Sequence, residues 1–184
     1  MRGSRGRRGD GLALVGYRGT GKSTVGRLLA DRLGRPFVDA DDEIEARAGR
    51  TIRAIFAEQG EPAFRDLEEL VLADLADRPG VILAAGGGAV LRASNREALR
   101  RVGFVVRLLA DPDAIARRIE ADPRALGDRP ALTDLGTLGE IRRVLIGREP
   151  FYREAADAEV DTDGRSPDQV ADAVISAWMG GGPP

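Results

Sequence analysis

The sequence predicts an α/β protein, a parallel sheet covered by helices on both faces, and three observations carry that prediction. Short apolar runs alternate with helical segments from residue 12 to residue 178. The runs are continuously apolar, as in strands buried on both sides. The first run passes through a glycine-rich loop directly into a helix, the order in which α/β domains build phosphate sites.

Each element has its own warrant. LALVG (12–16) is a strand ended by glycine, and 21–33 is a helix with Val25, Leu28, Leu29 and Leu33 at helical spacing. RPFVD (35–39) is the second strand. Helices follow at 41–48, 51–58 and 62–77, the last with Leu67, Leu70, Val71 and Leu75 on one face. GVILAAGGG (80–88) has the apolar density of a buried strand, and FVVRLLA (104–110) is another. Helical patterns resume at 112–120, at 138–147 and through 151–156; AEVDT (158–162) is a last strand and 167–178 a last helix. The stretch 121–137 is polar, carries two prolines and has no clean period. A loop of that length in a compact domain reads as a lid or a binding loop. Residues 1–10 read as a disordered arm and 180–184 as a flexible tail, leaving 11–179 as one domain.

Composition narrows the chemistry. With 42% hydrophobic and 32% charged residues over 184 positions, the chain suits one well-buried domain. A net charge of −2 argues against a general nucleic-acid or membrane-surface role. No apolar run nears the ~20 residues of a membrane helix. The arginines at the start precede no apolar core of signal-peptide kind, so a cytoplasmic location is expected. There is no cysteine, hence no thiol nucleophile, disulfide or thiolate-bound metal. There is no histidine either, which excludes imidazole bases, Ser-His-Asp triads and His-ligated zinc. An enzyme so composed accepts protons on a carboxylate. It stabilises charge with Arg, Lys, backbone N–H groups and a hard metal ion.

Of the 28 cationic side chains, all but Lys22 are arginines. That single lysine falls in GYRGTGKST (16–24), where Gly16, four residues and Gly21-Lys22-Ser23 complete the G-x-x-x-x-G-K-[ST] pattern. The glycines let successive N–H groups turn toward phosphate oxygens at a helix N-terminus, and Ser23 offers its hydroxyl to Mg²⁺. A compact ammonium on a slim stem threads such a loop; a planar guanidinium fork does not fit there equally well.

FVDADDEIE (37–45) places Asp39 at a strand end and Asp41 and Asp42 at a helix start. Asp42 with Glu45 reads as a helix cap of the Asp-x-x-Glu kind. Asp39 and Asp41 stand where α/β sheets bind ligands. There a carboxylate can hold Mg²⁺ through water or accept a proton from a substrate hydroxyl. The third strand ends in glycines and supplies no acid, which makes Asp39 the candidate for the metal shell.

With FR (64–65), GGGAV (86–90), DRPAL (128–132), REPFY (148–152) and VDTDGRSP (160–167), these motifs resemble the shikimate kinase family, in the family's order from residue 12 to about 178. The resemblance implies a three-layer α/β/α fold around a five-stranded parallel sheet, of P-loop kinase type, with a mobile lid at about 121–135. It implies transfer of the γ-phosphate of ATP to the 3-hydroxyl of shikimate, a step toward the aromatic amino acids. By the same resemblance Gly19, Thr20, Gly21, Lys22, Ser23 and Thr24 hold the phosphates, with Ser23 on Mg²⁺ and Asp39 in its outer shell. Asp41 binds the substrate hydroxyls and acts as, or orients toward, the base. Arg65 and Arg148 grip the shikimate carboxylate, while Gly86, Gly87 and Gly88 line the pocket through backbone. Arg129 reaches from the lid over the phosphates as a third catalytic group beside Lys22 and Asp41. Arg118, with Arg117 as the alternative, borders the adenine together with Arg165 and Pro167. Two departures stand out: the lid reads RPAL where two leucines are usual after Arg-Pro, and Glu149 and Phe151 replace Ala and Leu.

Two other readings share the cradle. A gluconate or nucleoside-monophosphate kinase has the same shape, but the three glycines with Asp41 and Arg65 speak against it. A non-catalytic nucleotide-binding module is opposed by the retention of Lys22, Ser23, Asp39, Asp41, Arg65 and Arg148. The Arg-rich start reads as a solvated tail and not as an RNA-binding arm. The expected partner is therefore shikimate, bound by a monomer, without nucleic acid or membrane.

Overall fold

The computed structural model describes residues 9–121 and 136–180. Among these, five strands and seven helices follow one another as β1 (Gly11–Val15), α1 (Lys22–Leu33), β2 (Phe37–Asp39), α2 (Ala40–Ala48), α3 (Ile52–Leu75), β3 (Ile82–Ala84), α4 (Ala93–Val102), β4 (Gly103–Leu109), α5 (Pro112–Ala121), α6 (Gly136–Ala155), β5 (Ala158–Asp161) and α7 (Pro167–Gly180). A single 3-10 turn, Ala89–Leu91, precedes α4. Every strand pairing is parallel, in the order β2-β3-β1-β4-β5. The expected arm over residues 1–8, most of the expected lid (122–135, with Arg129) and the expected tail over 181–184 lie outside the described residues.

The pleat of β1 explains the layers. Leu12 and Leu14 enter one core with Val25 and Leu29 of α1 and Val170 and Val174 of α7. Ala13 and Val15 enter the opposite core with Ile44 of α2, Phe64 and Leu72 of α3, Leu99 of α4 and Tyr152 of α6. The result is three layers, with α5 packed on α6 through Ile115, Ile119 and Ile141. Both cores matter, because a Leu or Ile removed from water is worth ~1.5–3 kcal/mol and β1 buries residues on each side.

Several expectations are corrected. Helix α4 has no counterpart in the sequence reading, since its buried face mixes Ala98, Leu99 and Val102 with the polar Asn95 and Arg96. Arg96 is buried because it donates to the carbonyls of Val90 (2.8 Å) and Leu91 (3.1 Å). Only three residues of GVILAAGGG pair as a strand. The two helices expected at 51–58 and 62–77 form one element broken at Gly60, whose φ of 80° is left-handed. Pro62 then sits in the first turn after the break, where its missing N–H costs least. The buried stripe of α3 runs through Phe64, Glu68, Val71, Leu72 and Leu75, while Leu70 is 64% exposed. The stripe is displaced because Glu68 takes a core position. The helices expected at 138–147 and 151–156 join across Pro150.

The helix cap also moves. Asp39, not Asp42, caps α2, accepting from the Asp41 N–H at 3.0 Å. Asp42 is exposed and stands 3.7 Å from Arg27, and Glu45 serves the next helix by accepting from the Ile52 N–H at 2.7 Å.

Topology places the site. The chain leaves β1 toward β2 at one edge and leaves β3 toward β4 on the other side of β1. The loops after β1 and β3 therefore diverge and open a crevice at the carboxyl ends of the strands. No helix among the described residues is long and apolar enough to cross a membrane.

Candidate active site

The loop after β1 enters α1 at Gly21, which occupies the N-cap position. No side chain caps this helix, so its first N–H groups keep no side-chain acceptor, the condition for binding an anion there. Thr20 is buried and fixes the loop by donating its hydroxyl to the Tyr17 carbonyl at 2.8 Å. Lys22 reaches back over its own loop, its Nζ donating to the Gly16 and Tyr17 carbonyls, both at 2.9 Å. A point-like ammonium serves two adjacent carbonyls; a guanidinium plane needs a wider opening.

Ser23, one residue on, donates its hydroxyl to Asp39 Oδ2 at 2.5 Å. Asp39 thus divides its oxygens, one to Ser23 and one to the N–H of Asp41. Asp41 opens the first turn of α2 and is half-buried. Among the described residues no group of three or more His, Cys, Asp or Glu side chains could hold a metal. The Ser23 hydroxyl and Asp39 carboxylate are nevertheless hard oxygen donors beside the cradle. They fit Mg²⁺, which usually takes one or two protein oxygens and leaves its other positions to phosphates and water.

On one side of the cradle, Thr20, Gly21, Thr24, Arg118, Arg165 and Pro167 line a single cleft of about 250 Å³ with Val25, Thr162 and Val170. Six residues expected at the nucleotide are therefore brought together. Arg118 is fixed by the Thr162 hydroxyl (2.9 Å) and carbonyl (3.2 Å) and approaches the Gly19 carbonyl at 3.4 Å. Arg117 lines a neighbouring recess instead. Thr162 was not singled out in the sequence; its place directly after β5 is the signal that marks it.

On the other side stands the loop after β3. A Cβ on Gly87 would come within 3.3 Å of the Arg18 amide and 3.5 Å of the Gly16 carbonyl, so this loop lies directly on the cradle backbone. A Cβ on Gly88 would fall 2.4–2.7 Å from the Arg65 guanidinium, a contact that only glycine permits while Arg65 stays in place. The Gly87 carbonyl accepts from Arg148 Nη1 at 2.8 Å and from the Tyr152 hydroxyl at 2.6 Å. Burial pushes the Tyr152 hydroxyl up to about 12, so it stays protonated and a donor through the neutral range. Tyr152 has no role in the sequence reading, although its spacing of four from Arg148 puts both on one helical face.

The two arginines expected at the substrate carboxylate differ. Arg65 donates through Nη1 to Glu68 at 2.7 Å and through Nε and Nη2 to Glu61 at 3.1 and 3.0 Å. Glu68 is fully buried. Burial opposes the Arg65 charge, but Glu68 and Glu61 more than restore it, and its pKa lies above the ordinary arginine value. Among the described residues Arg148 has no carboxylate partner. Arg18 ties the cradle to α6 by donating to buried Glu140 at 3.1 Å. Glu61, Glu68 and Glu140 carry no sequence signal beyond being charged, and Arg18 is marked only by lying within the cradle loop.

Comparison with known proteins agrees with this geometry. The family model described as Shikimate kinase matches residues 18–178. A shikimate kinase of Symbiobacterium thermophilum is 48% identical over 164 residues, covering 89% of this chain and 93% of its own. That of Rhodopirellula baltica is 43% identical over 166 residues, covering 90% and 89%. The solved structure of shikimate kinase from Acinetobacter baumannii in complex with shikimate is similar with a TM-score of 0.87 at 37% identity, covering 95% of each chain. Sequence, fold and the order of the site motifs agree: the chain belongs to the shikimate kinase family.

Proposed function

We infer that this chain transfers the γ-phosphate of ATP to the 3-hydroxyl of shikimate, with Mg²⁺ as its metal. One observation carries the reading: Gly87 touches both halves of the site. Cradle backbone packs on one side of it, and Arg148 and Tyr152 hold its carbonyl on the other. Donor and acceptor pockets then share a wall, as direct transfer between two bound substrates requires.

Roles follow from the chemistry of each group. Lys22 exchanges neutral carbonyls for the β- and γ-phosphate oxygens, which are stronger acceptors. The first N–H groups of α1 bind phosphate beside it, and Arg118, Arg165 and Pro167 border the base. Ser23 would hold the metal, with Asp39 in its outer shell, and the ion so held would supply charge neutralisation on the transferring group. Asp41 accepts the proton of the attacking hydroxyl. Arg148 takes the substrate carboxylate, Arg65 adds the N–H groups its two glutamates leave unused, and Gly86, Gly87 and Gly88 supply backbone. Arg129, assigned by resemblance to the lid, completes the charge stabilisation, and a cytoplasmic monomer is the form in which the chain works. Phosphoryl transfer asks for positioning and charge and no covalent intermediate, which a chain without His or Cys can supply.

The test is ADP release with shikimate, quinate, gluconate or a nucleoside monophosphate as sole acceptor. Shikimate should exceed each of the others by roughly 10²-fold in kcat/KM. Equal turnover of gluconate or a nucleoside monophosphate would overturn the reading.

A further inference from the structure

We propose that Arg107 is a positioning residue for the substrate-carboxylate pocket, acting through Glu149 and Tyr152 to hold Arg148 in place. The proposal rests on the reading of Arg148 given above.

Arg107 lies in β4 on the same face as Val105 and is 5% exposed, an unusual place for a charge in a sheet centre. Its guanidinium meets Glu149 as a fork, Nη1 to Oε1 at 3.1 Å and Nη2 to Oε2 at 2.5 Å. Nη1 also donates to Glu159 at 2.9 Å. The guanidinium carbon stands 4.8 Å from the centre of the Tyr152 ring. Glu149 is the neighbour of Arg148 in the chain, and Tyr152 lies one turn beyond. The strand therefore grips α6 at two points in the turn directly after Arg148, and Tyr152 and Arg148 converge on the Gly87 carbonyl.

The helix needs such a grip at this point. Pro150 lies inside α6, where it removes a backbone hydrogen bond and loosens the turn that carries Arg148. A bidentate arginine–carboxylate pair adds geometric constraint as well as energy. Glu149 also cancels part of the Arg107 charge, and Arg107 is the first cause holding the Glu149 carboxyl below its ordinary range. The presence of Glu149, where Ala is usual, is thereby accounted for: it pairs with a buried arginine on the strand as well as with Arg153 one turn on in α6 (2.8 Å).

Positioning can be separated from charge and from stability. If the pair acted on the substrate anion only through charge, Glu149→Ala and Arg107→Met would shift shikimate affinity in opposite directions. Under positioning both raise the KM for shikimate, by about tenfold (~1.4 kcal/mol), with the KM for ATP within about twofold. The double variant should then be close to either single one, since both break the same link. Arg148→Ala serves as the control and Glu149→Gln, which keeps one acceptor oxygen, as the partial rescue. Glu149 is 36% exposed, so its replacement is compatible with folding even if Arg107→Met is not. A folded Glu149→Ala protein with unchanged KM for shikimate, or with a lower one, overturns the proposal, as does a thermal shift without a change in KM. If Arg148→Ala also leaves that KM unchanged, the assignment of Arg148 has failed first.

Discussion

The Ser23 hydroxyl stands 2.5 Å from Asp39 Oδ2, so one hydrogen bond joins the first turn of the cradle helix to the end of β2. The other Asp39 oxygen caps α2 by accepting from the Asp41 N–H, which fixes Asp41 in the first turn. One carboxylate thus connects the cradle helix α1 to the start of α2.

That division gives opposite expectations for the two aspartates. Asp39→Asn keeps a good capping group but weakens the metal donor. It should raise the Mg²⁺ concentration for half activity, with part of the rate recovered at high metal. Asp41→Asn should lower turnover by roughly 10²-fold at every Mg²⁺ level, as expected for a lost proton acceptor. A Mg²⁺ titration of both variants at saturating ATP and shikimate checks this, and rescue of Asp41→Asn by metal would reverse the roles.

Lys22→Arg keeps the charge but not the shape. Its ammonium serves two carbonyls of a six-residue turn, and a guanidinium placed there must displace the loop. Turnover should fall by at least roughly tenfold, about 1.4 kcal/mol in the barrier. Near-native turnover would show that the loop tolerates a fork and that the lone lysine reflects no demand of the site.

The grip arginines should fail in different ways. Arg148→Ala removes a guanidinium without stranding an acid, so the KM for shikimate should rise while thermal stability and ATP affinity hold. Arg65→Ala breaks the ion pair with fully buried Glu68 and should lower stability, by up to about 3–5 kcal/mol for a broken buried pair. Thermal unfolding of both variants beside their KM values separates the cases. Equal destabilisation would mean that Arg148 is structural too.

These contrasts also show what the sequence could and could not reveal. The cradle loop and the strand-end place of Asp39 were legible because local order brings Gly21, Lys22 and Ser23 together and strand ends collect at one edge, whereas Arg118, Arg165 and Pro167 entered only through the family resemblance. The burial of β1 on both faces was legible in its continuous apolar run. Helix α4 was not, because Arg96 and Asn95 occupy its buried face and dilute the period. Nor was the partner set of Arg65, since Glu61 and Glu68 are two of many acids until the break at Gly60 fixes the start of their helical segment. Arg107 was hidden among 27 arginines for want of any local signal that it faces inward.

Tyr152 sets an alkaline limit on stability. Its hydroxyl titrates near 10 when unfolded and is raised to about 12 in the folded chain. Between those values the unfolded state has released its proton while the folded state keeps it, so stability falls as pH rises from 10 toward 12. The loss is at most about 2–3 kcal/mol. Tyr152→Phe should lose roughly 1 kcal/mol at neutral pH with the Gly87 bond and decline less steeply above pH 10. The fall that remains belongs in part to Tyr17, which burial also raises. Denaturant unfolding from pH 8 to 12 measures both, and identical slopes for the two proteins would contradict the assignment.

The most direct measurement is ³¹P and ¹H NMR of the product formed from ATP and shikimate by the purified chain with Mg²⁺. The expected result is one equivalent of ADP and one phosphomonoester on the 3-hydroxyl. Release of inorganic phosphate without a phosphomonoester of shikimate, or phosphate on a different hydroxyl, would contradict the roles proposed for Asp41 and Arg148.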